Sequence, residues 1–116
     1  LGLICDVFKE YAELKEMVVI GGGAQSGLWR QMMADIYEMP VLKPNLLEEA
    51  TSMGAAVTGG VGTGVYDSFD VVSKFLKFEQ RTEPIIENVE TYSRYRQVFE
   101  KTYYGLKATF SMLKEL

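Results

Sequence analysis

The chain contains 116 residues, of which 47% are apolar and 24% are charged, and its formal net charge is −4. This length allows one small domain with an ordinary core, but it is short for a metabolic enzyme built around a two-domain cleft. The acidic balance without a dense Lys/Arg cluster argues against a nucleic-acid partner, and the absence of histidine excludes imidazole catalysis and His-containing zinc sites.

Cys5 is the single cysteine, so no internal disulfide can form. Because it lies in an apolar helical stretch, we predict a core position in a reducing compartment, with a reactive thiol as the alternative. No apolar run approaches the roughly eighteen residues of a membrane span, and the first residues lack the layout of a signal peptide. The sequence therefore predicts a cytoplasmic protein with no membrane partner.

The first two predicted elements are a helix and a strand. Apolar residues keep helical spacing from Leu3 to Leu14 with no capping residue ahead of them, so we expect the helix to begin upstream of a chain that is itself a fragment. The run from Met17 to Ile20 is apolar without alternation and rich in β-branched residues. Such a run is typical of a short strand that is buried on both faces.

Glycines follow this strand directly, at Gly21-Gly22-Gly23-Ala24, and Ser26 is the predicted N-cap of a helix that reaches Tyr37 or Glu38. Glycines let an anion approach backbone amides closely, and a helix start adds unpaired N–H donors. A phosphate site is therefore one interpretation and a plain tight turn is the other. The segment is neither a Walker A loop, since no Gly-Lys-Ser/Thr follows, nor a dinucleotide fingerprint.

Two side chains on this helix suggest chemistry. Trp29 would be an aromatic platform for adenine, but it shares a helical face with Met33 and Tyr37, which favours a place in the core. Asp35 would be a metal-binding carboxylate, but it lies more than two turns from the glycines. A solvated or helix-pairing role is the preferred interpretation for Asp35.

The next predicted elements are an edge strand at Val41-Leu42, between two prolines, and a helix capped by Asn45 with Glu48 three residues later. Adjacent Glu48 and Glu49 diverge by about 100° on a helix, so we interpret them as first-turn acids rather than an acid/base pair. Small residues inside this helix predict close packing against another backbone or against the glycine turn. The glycines from 59 to 64 predict its C-terminus.

The last third of the chain predicts mostly helix. Residues 70–78 are ambiguous and fit a short helix, and residues 80–84 are polar and predict a surface loop. A long helix is predicted from Glu87 to Lys114. Its aromatic stripe predicts packing in the core or between domains, and it consists of Tyr92, Tyr95, Phe99, Tyr103, Leu106, Phe110 and Leu113.

Three stretches of the chain resemble the FGGY carbohydrate kinases. The most specific runs from Val18 to Asp35 (VVIGGGAQSGLWRQMMAD), and a second runs from Glu49 to Ala56 (EATSMGAA) with glycines at 60 and 62. The tail from Tyr92 to Tyr95 is similar to the family's closing helix and is much less specific. The resemblance spans nearly the whole chain and is strongest to the xylulose kinase branch.

The resemblance implies an α/β fold that is part of an actin-like ATPase (ribonuclease H-like) domain: a helix-rich fragment with a short buried strand and a glycine turn. In this family two such domains close around a cleft, with the sugar held mostly by the first and the nucleotide by the second. Residues 1–116 would be the C-terminal part of the second domain. The N-terminal sugar-binding domain would be absent from the chain.

The resemblance also assigns the site residues. Gly22, Gly23 and Ala24 would line the phosphates and ribose of ATP, and Ser26 and Gly27 would lie near the adenosine. Gly27 replaces the asparagine of glycerol-type members, which argues against a glycerol kinase. The family's catalytic aspartate comes from an upstream segment that no carboxylate here matches, so the chain contains no predicted catalytic or metal-ligating residue and should be inactive alone.

Two functional classes follow from these patterns. The first is the nucleotide-binding part of a sugar kinase that uses ATP with Mg²⁺ to convert D-xylulose to D-xylulose 5-phosphate, with gluconate and other sugars as alternatives. The second is a non-catalytic actin-like module that senses a nucleotide or bridges partners. The expected partners are ATP or ADP and a sugar bound mainly by the missing domain. The sequence leaves open whether the protein forms a homodimer.

Overall fold

The computed structural model describes residues 2–113 of the chain. Six α-helices and three β-strands follow one another in these residues, with one short 3₁₀ turn before α5. In chain order the elements are α1 (Gly2–Tyr11), β1 (Met17–Val18), α2 (Gly22–Gln25), α3 (Gly27–Tyr37), β2 (Val41–Pro44), α4 (Ala50–Gly62), the 3₁₀ turn (Phe69–Val71), α5 (Val72–Phe75), β3 (Phe78–Thr82) and α6 (Ile86–Leu113).

The three strands form one sheet in the order β1-β2-β3. β1 runs parallel to β2, with Met17 opposite Val41, and β2 runs antiparallel to β3 with an irregularity between Lys43 and Pro44. The predicted edge strand is therefore the central strand of the described sheet, and that prediction was wrong. Pro44 is tolerated there because the register shifts at the proline, where a missing N–H costs little.

β3 was missed because its residues, Phe78–Thr82, are mostly polar and charged. Their side chains are largely exposed, so no apolar pattern signals the strand. The predicted surface loop at residues 80–84 was consequently wrong over its first three residues. The ambiguous stretch before it holds the 3₁₀ turn and α5, as the short-helix interpretation expected, but ends in the start of β3.

β1 is shorter and less buried than the sequence predicts. Only Met17 and Val18 pair as a strand, and Val18 and Ile20 are 44% and 51% exposed. Met17 and Val19 pack against the core, so one side of the segment is covered. Burial on both faces was a wrong prediction for the described residues, because β1 lies at the edge of this sheet and only one side of it packs on the core.

The core joins α1, α3 and the sheet. It is built from Cys5, Ala34, Tyr37, Met39 and Val41, all of which are buried. The predicted core position of Cys5 is confirmed, and its thiol is free. This cluster fixes the direction in which α3 leaves the glycines.

α3 has a defined end as well as a defined start. Glu38 adopts the left-handed conformation that commonly closes a helix, with φ of 56°, and the Met39 N–H donates to the Ala34 carbonyl at 3.3 Å. The chain can therefore turn sharply into β2, two residues before Val41. The predicted helix end at Tyr37 or Glu38 is confirmed.

Alkaline pH should destabilise this core through Tyr37. Burial, with a smaller contribution from Cys5, raises the pKa of the Tyr37 phenol above its ordinary value of 10.0. The unfolded chain thus loses this proton first, so the stabilising contribution is complete below about pH 10 and declines as pH rises through the folded pKa. Urea unfolding measures the free energy of unfolding of wild type and of Tyr37→Phe at neutral pH and above pH 10. We expect wild type to lose more of this free energy between the two pH values than Tyr37→Phe does. Equal losses in the two proteins would contradict the prediction.

α4 begins at Ala50, five residues later than the predicted cap at Asn45. Asn45 instead joins two loops: its side chain donates to the Phe75 carbonyl at 3.3 Å and accepts from the Lys77 N–H at 3.0 Å. The capping prediction was therefore wrong, and Glu48 and Glu49 precede the helix rather than forming its first turn. The predicted glycine C-terminus is confirmed, with Gly62 last in the helix and Gly64 at a φ of 75°.

Among the glycines of α4, Gly60 alone packs closely against a neighbour in the described residues. A methyl group on Gly60 would overlap the Tyr66 ring, whereas Gly54, Gly59 and Gly62 face open space. Among residues 2–113, close packing against another backbone was a wrong prediction for this helix.

α6 confirms the predicted long helix from Ile86 to Leu113, while Lys114 lies outside the described residues. At about 1.5 Å per residue its 28 residues span roughly 42 Å. None of its residues is buried, and Tyr95, Phe99 and Tyr103 are each more than half exposed. Core packing of the aromatic stripe was therefore wrong for the described part of the chain. Packing between domains stays a prediction.

Candidate functional site

The glycine turn, residues 21–25, reverses the chain between β1 and α3. Gly21 has φ of 78° and ψ of −171°, a region that essentially only glycine occupies. The Ala24 N–H donates to the Gly21 carbonyl at 3.0 Å, which closes the turn, and Gly22–Gln25 forms the single turn of helix α2. The shape of the turn therefore depends on the missing Cβ at Gly21.

Gly21→Ala should destabilise the protein through this backbone conformation alone. A Cβ at Gly21 would meet no atom within 4 Å, so steric overlap with neighbours contributes nothing. Holding alanine in this region should cost about 1 kcal/mol or more. Chemical denaturation should show that loss, and a Gly22→Ala control, also in open space but without positive φ, should show none; equal stability of the two variants would refute the strain.

The predicted contact residues divide between a solvent side and a buried side of the turn. Gly22 and Gly27 are exposed and Gly23 and Ser26 are half-buried, whereas Ala24 is fully buried. The Ala24 amide is also occupied by the Gly21 carbonyl. N–H groups that open a helix have no intrahelical acceptor, so the backbone of Gly22 and Gly23 is the part of the turn that offers donors to a ligand.

Ser26 is the N-cap of α3, as the sequence predicts. Its Oγ accepts a hydrogen bond from the Trp29 N–H at 3.3 Å. The cap places Gly27 at the first helical position, exposed and directly after the glycine turn. Ser26 therefore fixes the junction between the turn and the helix.

Arg30 holds the buried side of the turn. Its Nη1 donates to the Ala24 carbonyl and to the Gln25 carbonyl, the latter at 3.0 Å, and its Nη2 donates to Gln80 Oε1 in β3. Arg30 is only 8% exposed. No sequence signal distinguishes Arg30 from a solvated arginine, because Gln80 becomes its neighbour only through the fold.

A weak contact joins the turn to the segment before α4. Gln25 Nε2 lies 3.4 Å from Glu48 Oε1, near the limit of a hydrogen bond. The sequence predicts that α4 packs against another backbone or against the glycine turn. Among residues 2–113, the segment before α4 contacts the glycine turn, and it does so through Glu48 and not through the small residues of α4.

Trp29 is exposed and Asp35 is buried, whereas the sequence predicts a core position for Trp29 and a solvated or helix-pairing role for Asp35. Trp29 is 54% exposed, so its predicted core position was wrong. Asp35 is 2% exposed and accepts hydrogen bonds at 2.8 Å from the Ile85 N–H, from Asn88 and from Gln31. The solvated role was wrong and the helix-pairing role is confirmed, because this carboxylate links α3 to the start of α6.

A cleft of about 250 Å³ lies between α1, α3 and α6, lined mainly by apolar groups such as Leu3, Ile36, Val89 and Phe99. None of the five predicted contact residues lines it.

Among residues 2–113, no three His, Cys, Asp or Glu side chains are grouped so that they could hold a metal ion. In the described part of the chain, none of the helices combines the length and the hydrophobicity that a membrane span requires.

Residues 3–63 match the family model of the FGGY carbohydrate kinases, C-terminal domain, which is more than half of the chain. The chain belongs to the FGGY family of carbohydrate kinases. The match contains the glycine turn, Ser26 and Arg30, whereas Gln80 and α6 lie outside the matched residues. The predicted family membership is confirmed.

Curated relatives in this family have several names. The chain is 30% identical over 101 residues to an autoinducer-2 kinase of Photorhabdus laumondii (84% of this chain, 19% of the relative). It is 37% identical over 92 residues to a xylulose kinase of Staphylococcus epidermidis (78% and 18%), and 42% identical over 79 residues to a gluconokinase of Bacillus licheniformis (68% and 15%). The chain thus spans less than a fifth of the length of these relatives.

Solved structures share the fold. A ligand-bound xylulose kinase from Lactobacillus acidophilus superposes with a TM-score of 0.79 at 15% identity, over 97% of this chain and 24% of that one. A gluconate kinase from the same organism gives a TM-score of 0.77 at 17% identity, over 90% and 21%. The predicted α/β, actin-like fold of a sugar kinase is confirmed for this FGGY chain.

Proposed function

We propose that this chain is the C-terminal, nucleotide-binding part of the second domain of an ATP-dependent sugar kinase. The complete protein would phosphorylate D-xylulose to D-xylulose 5-phosphate in the cytoplasm. The observation that carries the proposal is the glycine turn, which follows β1, has Gly22 exposed and Gly23 half-buried, and is held on its buried side by Arg30. Backbone amides at such a turn suit the anionic phosphates of a nucleotide.

The roles that the family resemblance implies are compatible with this geometry. Gly22 and Gly23 would approach the phosphates, and Ser26 and Gly27 would lie towards the adenosine. Ala24 would contribute by shaping the turn, because its methyl group is buried and its N–H is occupied. Mg²⁺ would accompany ATP and neutralise phosphate charge, with its protein ligands supplied from outside this chain.

The catalytic base and most sugar contacts would lie in the rest of the protein. Phosphoryl transfer depends on positioning and on charge stabilisation from several directions, of which this chain would supply one wall. We therefore expect residues 1–116 to be inactive alone and the complete protein to be active. A homodimer is also proposed, because α6 carries exposed apolar side chains that a second copy would cover.

Identity to the Bacillus licheniformis gluconokinase, at 42%, favours gluconate as the second candidate substrate. A coupled assay of ADP release by the complete protein should decide between D-xylulose, gluconate and autoinducer-2. Highest kcat/KM with D-xylulose is the expected result, and a higher value with either other compound would replace the substrate assignment.

A non-catalytic actin-like module is the alternative from another class. It would bind nucleotide without phosphorylating any sugar. Calorimetric titration of ADP into the complete protein, beside the ADP-release assay, separates the classes: binding with turnover supports the kinase, and binding without turnover on the whole sugar panel supports the module.

A further inference from the structure

We propose that Arg30 is a positioning residue for nucleotide binding: it sets the shape of the glycine turn from behind and does not touch the nucleotide. This inference rests on the proposed function, since it assigns Gly22 and Gly23 to the nucleotide phosphates. It adds a side chain whose contribution comes through the backbone it holds.

The hydrogen bonds of Arg30 end on the backbone of the turn itself. Nη1 donates to the carbonyls of Ala24 and Gln25, the last two residues of α2. Carbonyls at the end of a helix lack intrahelical donors and need partners from elsewhere. Arg30 supplies those donors, so the Ala24–Gln25 and Gln25–Ser26 peptide planes are fixed to a side chain of α3.

The same guanidinium joins the turn to the sheet. Nη2 donates to the side chain of Gln80, which lies fifty positions away in β3, and β3 pairs with β2. A planar guanidinium can reach two carbonyls on one side and an amide oxygen on the other, which the single ammonium of lysine cannot reproduce. The turn is thereby tied to a second rigid element.

The environment of Arg30 is unusual for a residue that serves stability alone. It is 8% exposed, its Nε has no hydrogen-bond partner, and among residues 2–113 no carboxylate forms a salt bridge with it. A buried, partly unsatisfied charge is costly to the fold. This cost is explained if Arg30 serves the shape of the turn in addition to stability.

Gly27 lies next to this arrangement. A Cβ on Gly27 would be in ordinary van der Waals contact with Arg30 Nη2, at 3.7 Å, so the guanidinium lies beside the first residue of α3. This contact and the hydrogen bonds place the head group of Arg30 between Gly27, the end of α2 and Gln80.

The experiment compares Arg30→Lys, Arg30→Met and Gln80→Leu in the complete protein. ADP is titrated by calorimetry, and KM is measured for ATP and for the sugar. Arg30→Met should weaken ADP binding about tenfold or more, as expected for lost hydrogen bonds to a charged group. Arg30→Lys should recover only part of the affinity and Gln80→Leu should lose less than Arg30→Met, while the sugar KM stays unchanged in all three.

Arg81→Met is the matched control. Arg81 also lies in β3, but it is exposed and pairs with Glu16 and Glu83 on the surface. Removing this charge should leave ADP affinity unchanged. Wild-type ADP affinity in Arg30→Met or in Arg30→Lys would overturn the positioning role, because the turn would then keep its shape without the guanidinium.

Hydrogen exchange separates this inference from the proposed function. Faster exchange of the amides at residues 22–26 in Arg30→Met supports the hold of Arg30 on the turn, whether or not wild type binds nucleotide. If wild type binds no nucleotide, that result refutes the proposed function and leaves this inference standing. Unchanged exchange would overturn the inference. If Arg30→Met fails to fold, the same measurements on Gln80→Leu test the inference. That variant removes the hydrogen bond between Arg30 and Gln80 and keeps the charge of Arg30.

Discussion

Replacing Gly23 with valine is expected to weaken ADP binding by the complete protein about tenfold to a hundredfold, the effect of losing one charge-assisted hydrogen bond. The branched side chain would stand beside the amides that we assign to the phosphates. The fold should tolerate it: Gly23 does not have positive φ, and a Cβ there would lie 3.6 Å from the flexible end of Met33. Valine also has a higher helix propensity than glycine.

Calorimetric titration of ADP into wild type and Gly23→Val measures this effect. Gly105→Val is the matched control, because Gly105 is also helical and faces open space but lies in α6. The control should bind ADP like wild type. Unchanged affinity in a folded Gly23→Val protein would refute the assignment of the glycine turn to the nucleotide.

Asp35→Ala is expected to lower the free energy of unfolding by about 3 kcal/mol, within the range for hydrogen bonds to a buried charged group. The carboxylate is almost fully buried and accepts from the Ile85 N–H and from Asn88 at the start of α6 and from Gln31 within α3. Its removal leaves the Ile85 N–H and the Asn88 side chain without this acceptor, whereas Gln31 keeps the Glu83 carbonyl at 3.0 Å. It also removes a negative charge from the N-terminus of a 28-residue helix, where the helix dipole favours it.

Urea unfolding of the complete protein, followed by circular dichroism, tests this expectation. Asp67→Ala provides a matched control on an exposed residue and should change stability by less than about 0.5 kcal/mol. Hydrogen exchange at the start of α6 should accelerate in Asp35→Ala and not in the control. Equal unfolding midpoints of the two variants would show that the carboxylate does not hold α6 in place.

Local chemistry made part of the site predictable. Ser26 is a cap because serine oxygen accepts from a nearby N–H whatever surrounds it, and Gly21 occupies a conformation that other residues avoid. Both are decided within a few residues, so the glycine turn and the start of α3 could be predicted. Arg30 could not, because its oxygen partner in Gln80 lies fifty positions along the chain.

The failures have the same physical origin. β3 is exposed and polar, so it has no hydrophobic period, and its pairing with β2 is what makes it a strand. Asn45 has the composition of a cap, yet its side chain meets Lys77 and the end of α5. Trp29 and Asp35 share one helix, and the elements packed around that helix decide which of them is buried.

The sequence by itself determined the family, the glycine turn, the capped helix after it and the long final helix. Each of these depends on interactions between residues close in the chain, or on a motif of contiguous residues. Only the tertiary structure decided the order of the strands, the burial of Asp35 and the hydrogen bond from Arg30 to Gln80. Those features depend on partners from distant segments, and no local pattern specifies which distant oxygen or N–H a side chain will meet.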